Sequence, residues 1–160
     1  MRPLRPALLL AAFLAFAGTA AATEPPVTAE TLPRAWCGTF SWERYNDLQH
    51  VTIALERVET RADGTLEATG RGEVKSWRAV AITVRVTVDP VTRRAELFEA
   101  PIKPTSGYIY DGSHLGTLAA DFQSMRLDWT TRGTGERGSM QLQARPAGAD
   151  PAQPCGLPSS

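Results

Sequence analysis

Within four residues, Asp111, Gly112, Ser113 and His114 bring a carboxylate, a hydroxyl and an imidazole close together in the chain. These are the groups of a hydrolytic relay, in which a carboxylate orients a base and the base takes the proton of a nucleophile. Neighbours on a strand point to opposite faces, however, so Ser113 and His114 diverge. The quartet reads as an Asp-Gly turn leading into a strand. A hydrolase using His114 is therefore kept only as an alternative, and the sequence assigns no catalytic residue. Metal chemistry has less support still. His50 and His114 fall on different strands, neither belongs to a His-x-His or His-x-x-x-His pair, and Cys37 and Cys155 stand alone rather than in a Cys-x-x-Cys motif. No metal and no cofactor are expected. Glu96, Glu99, Asp121 and Asp128 suit either an inward carboxylate pair for acid and base work or a solvated outer face.

The aromatic residues give a fuller signal. Trp36, Phe40 and Trp42 recur at alternate positions, and Trp129 appears late in the chain. On one face of a sheet they would line a cavity for a small apolar ligand, since such pockets are mostly hydrophobic with few polar groups. The same rings would equally fill a solid core. Tyr108 and Tyr110, beside Pro101 and Pro104, suit a loop that contacts a partner protein, because Tyr offers contact area at low entropic cost. They would also pack routinely in a barrel mouth.

The elements that must position these residues follow from the rest of the chain. Arg2 and Arg5 precede an apolar run from Ala7 to Ala17, and Ala20 and Ala22 occupy the −3 and −1 positions of an Ala-x-Ala site. Residues 1–22 therefore read as a cleavable export signal with cleavage before Thr23; the run is too short to span a bilayer, which takes about 20 apolar residues. No cysteine stands at the cleavage point, so no lipid anchor is expected and the product is periplasmic or secreted. The chain carries 17 basic and 17 acidic residues; removing the signal leaves 15 against 17, about −2. With no basic stripe, nucleic acid is not an expected partner.

Between a proline-bearing lead-in (23–35) and a proline-rich tail (146–160), apolar residues alternate with period two, the signature of half-buried strands. Val51, Ile53 and Leu55 share a face, Asp63 and Gly64 make a hairpin turn, and Leu66, Ala68 and Gly70 return, with Gly70 and Gly72 suggesting a bulge. Val80 to Val88 alternates most clearly. In 94–100 the pattern leaves open whether Glu96 with Phe98 or Leu97 with Glu99 faces inward, and 113–119 is also ambiguous. Met125, Leu127 and Trp129, then a glycine-rich turn, then Met140, Leu142 and Ala144 complete the set.

These runs predict an all-β domain over 36–145: an antiparallel up-and-down meander of about eight strands forming a closed or nearly closed small barrel, with a β-sandwich as the alternative. Closure would bring Cys37 near Cys155, and in an oxidising compartment the two are expected to form a disulfide that tethers the tail, worth on the order of 4 to 5 kcal/mol. The opening Trp36, Gly38, Phe40, Trp42 followed by short hairpins resembles the calyx-forming lipocalins and avidins. The succession Trp42, Asn46, Asp47, Thr52, Ile53 is similar to the avidin opening. The resemblance implies a barrel with an internal cavity and implies no particular binding residue. The expected function is non-enzymatic binding of a small apolar ligand, or, as an alternative, a protein-binding module or enzyme inhibitor of the bacterial envelope.

Overall fold

The computed structural model describes residues 26–45 and 47–146. The expected signal with its cleavage point, Asn46, residues 147–160 of the tail and Cys155 within them lie outside the described residues. Eight strands follow one another: β1 (Ala35–Trp42), β2 (Leu48–Thr60), β3 (Leu66–Lys75), β4 (Ala79–Val88), β5 (Arg94–Pro101), β6 (Gly112–Leu118), β7 (Ser124–Thr131) and β8 (Arg137–Ala144). Each is antiparallel to the next, and β1 pairs with β8 from Trp36 opposite Ala144 to Trp42 opposite Gly138. That last ladder closes the barrel and sets aside the sandwich. Closure pairs every strand on both sides, although the β5–β6 ladder is short, running only from Arg94 opposite Thr117 to Leu97 opposite His114.

The alternation that specifies the strands also specifies their facing. Val80, Ile82, Val84, Val86 and Val88 are buried inside, each separated from the next by an outward residue, and burying a side chain of this kind is worth about 1.5–3 kcal/mol. Residues directly opposite in a ladder share a face, so Val88 opposite Ala95, Val86 opposite Leu97 and Val84 opposite Glu99 settle the fifth strand: Leu97 and Glu99 point inward. The turn enforces this register. The Asp89 carboxylate accepts from the Val91 and Thr92 amides at 2.9 Å each, and Arg93 adopts a left-handed φ of 58°. Leu97 opposite His114 then turns Gly112, His114, Gly116 and Leu118 inward.

The expected bulge exists, but on the partner strand. The β2–β3 register shifts between Leu55 and Arg57, which stand opposite Gly70 and Thr69. The extra residue lets the long β2 strand bend, and Gly70 accommodates the bend because a Cβ there would lie 2.0 Å from the Ala54 carbonyl oxygen.

The two ends of the barrel differ. The segment before β1 was expected to be extended; instead it turns over Ala29–Thr31, where the Thr28 and Thr31 hydroxyls accept each other's backbone N–H at 3.2 and 2.8 Å. This turn drives Val27 and Leu32 into the core beside Trp36, and the Val27 amide donates to the Pro90 carbonyl at 3.2 Å. The lower end is thereby stoppered. At the upper end residues 43–45 and 47 and the loops 76–78, 102–111 and 132–136 surround an opening.

Candidate functional site

The upper half of the interior is built around three rings. Trp42 and Trp129 meet edge to face at 4.9 Å, and Phe40 stands edge-on to both, at 5.2 Å from Trp42 and 6.0 Å from Trp129. Such geometry sets the positive edge of one ring against the negative face of the next, worth about 0.5–1.5 kcal/mol per pair beyond burial. Two glycines make the room. A Cβ at Gly138 would lie 2.3 Å from Phe40 Cζ, and one at Gly112 would lie 2.5 Å from Trp129 Nε1.

Against these rings sits a buried polar group. His114, only 2 % exposed, packs with its ring 5.7 Å from Phe40 and 6.1 Å from Trp129. Its Nε2 is 3.7 Å from Glu99 Oε1, an ion-pair distance if the imidazole is protonated and too long for a hydrogen bond. Glu99 Oε1 instead accepts from the Tyr108 hydroxyl at 2.8 Å. Burial first, then the Glu99 charge, then that hydrogen bond hold the Tyr108 phenol well above its ordinary pKa, so it stays a donor. Glu99 Oε2 and both ring nitrogens of His114 are buried without a hydrogen-bond partner among the described residues. Leaving such groups unsatisfied costs about 1–3 kcal/mol each, so three in one spot mark a place built for something other than packing.

Around Glu99 and His114 lies a narrow space of about 40 Å³, and Trp42, Gln49, Val74 and Tyr108 line both it and a mouth cavity of about 730 Å³. The larger volume falls within the 300–1,000 Å³ of typical small-molecule sites. Its rim is braced by two bridges: Tyr45 donates to Glu136 Oε1 at 3.1 Å, and Arg78 donates to the Ser106 carbonyl while its guanidinium lies 4.6 Å over the Trp77 ring.

The structure therefore brings Phe40, Trp42 and Trp129 together and separates Trp36 from them. Trp36 lies at the stoppered end, where its Nε1–H donates to the Pro33 carbonyl at 2.9 Å. It lines a lower groove of about 220 Å³ with Ile53 and Gly72 rather than the mouth. Its alternation with Phe40 and Trp42 was read correctly as one face, but that face runs the height of the barrel and so reaches both ends. Tyr108 and Tyr110 also part company: Tyr108 turns inward to Glu99, whereas Tyr110 is exposed on the rim. Cys37 is buried in the wall and is not free; Cys155, its expected partner, lies outside the described residues. His50 is exposed and not brought to His114, and among the described residues no group of three or more metal-binding side chains assembles.

The sequence names Glu99 and His114 as candidates but does not bring them together: the pattern of 94–100 leaves the facing of Glu99 open, and His114 stands in a quartet that reads as a turn leading into a strand. The usable signal was the β4 alternation, which carried across the Asp89 turn fixes the parity of both. No protein-family model matches this chain, and neither does any curated relative.

Proposed function

We propose that this barrel is a binding protein that takes a small, largely apolar molecule through its upper mouth, with Phe40, Trp42 and Trp129 as apolar wall and Glu99, His114 and Tyr108 as polar floor. The observation that carries the reading is the set of unpartnered buried atoms, Glu99 Oε2 and His114 Nδ1 and Nε2, around an aromatic-walled recess that shares Trp42 and Tyr108 with the open mouth cavity. A filled core would gain more from apolar residues there, because an unsatisfied polar group costs more than it returns. Trp36 is left out of the site.

The proposal includes the setting. Residues 1–22 have the composition of an export signal, so the domain works in the periplasm or outside the cell, with Cys37 bonded to Cys155 to tether the tail. No catalysis is proposed. Ser113 pairs opposite Thr130 and lies on the outward parity, so it is not placed to work with the His114 imidazole.

Titration with a hydrophobic fluorescent probe tests the reading. Saturable binding that Trp42→Ala weakens about tenfold or more supports it, in keeping with a ring that contributes at least 1.4 kcal/mol. No binding, or binding indifferent to that substitution, refutes it.

The rim favours a second reading, a protein-contact surface. Trp77 is 83 % exposed and Tyr110 52 %, with Ile109 beside them. Capture of an envelope protein that Trp77→Ala with Tyr110→Ala abolishes, with probe binding intact, would support that use.

A further inference from the structure

We infer that the preferred ligand of this mouth carries a cationic nitrogen, an amine on an apolar body, seated with its charge on Glu99. The inference rests on the ligand-binding reading above and adds the class of ligand.

The unmet chemistry of the floor supports it. The Glu99 side chain is only 10 % exposed and belongs to the inner wall, yet among the described residues Oε2 has no donor. Oε1 has one, the Tyr108 hydroxyl. Among the described residues the basic group at the carboxylate is His114, at 3.7 Å, and no lysine or arginine lines the inner space around them. A carboxylate removed from water favours a positive charge or a strong N–H donor in its place. An anionic head in the inner recess would meet Glu99 with no lysine or arginine lining that recess to offset it; Arg78 stands in the mouth above. A wholly apolar ligand would seal Oε2 away unsatisfied.

Space and surroundings agree. The inner recess of about 40 Å³ admits a single small group, on the scale of the roughly 30 Å³ that one water occupies in the liquid. An ammonium head fits it, while the body must remain in the larger cavity above. The head would pass Trp42, which lines both spaces, and aromatic rings attract cations.

The test compares three probes with one body: phenethylamine, 2-phenylethanol and phenylacetate, titrated by calorimetry against the full processed protein. The amine is expected to bind about ten- to a hundredfold tighter than the alcohol, the range for a hydrogen bond to a charged partner, and the acid weakest. Glu99→Gln keeps an acceptor for Tyr108 and should bring amine and alcohol within about threefold of each other. Equal binding of amine and alcohol by the unaltered protein overturns the inference, as does an amine preference that survives in a folded Glu99→Gln variant. Should that variant not fold, the three-probe ranking in the unaltered protein decides alone. If the hydrophobic fluorescent probe binds while the amine shows no preference, only the ligand class fails; if neither the probe nor any of the three binds, the ligand-binding reading fails with it.

Discussion

At the lower end of the barrel, Val27 and Leu32 from the segment before β1 press in beside Trp36, whose one polar atom is satisfied by the Pro33 carbonyl. At the upper end, Phe40, Trp42 and Trp129 form the same kind of aromatic contact, but Glu99 and His114 enter among them with three polar atoms unmatched. Both ends are lined by inward positions of the same strands. The lower one satisfies every requirement of a core, and the upper one withholds some. Inward positions on one strand face can therefore differ in how fully their surroundings are satisfied, as those of Trp36 and Trp42 do, and only their height in the barrel tells them apart.

Substitutions should expose that division. Trp36→Ala is expected to cost about 3–5 kcal/mol in urea unfolding, as for other buried aromatic truncations, while the folded fraction binds the fluorescent probe with unchanged affinity. A small stability loss accompanied by lost binding would erase the distinction between the ends. Gly138→Ala should cost about 1–3 kcal/mol, because the added Cβ meets Phe40 Cζ at 2.3 Å and the Ser41 carbonyl oxygen at 2.9 Å, and it should also lower probe affinity by tilting Phe40.

The upper end should carry an alkaline pH response through Tyr108. Tyr108 holds its proton in the folded state above the ordinary tyrosine value of about 10, so above that pH the unfolded chain binds fewer protons than the native one. Stability should fall as pH rises beyond about 10, by at most about 1.4 kcal/mol per unit from this group, and should not depend on it below. Tyr108→Phe should flatten that part of the profile; an identical alkaline limb in both proteins would show that the phenol titrates freely. Tyr110→Ala, on the exposed rim, should change stability by no more than about 0.5 kcal/mol, and a larger loss would mean the rim is part of the fold.

Much of this architecture is legible before any coordinates. The period-two runs, the Asp63-Gly64 hairpin and the valines of β4 lead to about eight strands in a closed or nearly closed barrel, and the β1–β8 ladder decides for closure over the sandwich. The aromatic wall is half legible: Phe40, Trp42 and Trp129 do converge, but alternation gives the face of a residue and not its height. Glu99 escaped because the run Arg94 to Ala100 alternates charged with apolar residues in both registers, so facing depends on ladder pairing with β4. His114 escaped because its neighbours Phe40, Glu99 and Trp129 come from three other strands, and the imidazole acquires meaning only beside Glu99. The lower stopper was hidden by prolines, which signalled extension where paired threonines make a turn.

The most direct test watches all four tryptophans at once. The chain contains Trp36, Trp42, Trp77 and Trp129, each with one indole N–H resonance in a proton–nitrogen correlation spectrum. On titration with phenethylamine, saturable movement of the Trp42 and Trp129 signals with Trp36 stationary is the expected result. A Trp36 signal that moves as far as theirs, or four signals that do not move at all, would contradict a binding site at the upper mouth.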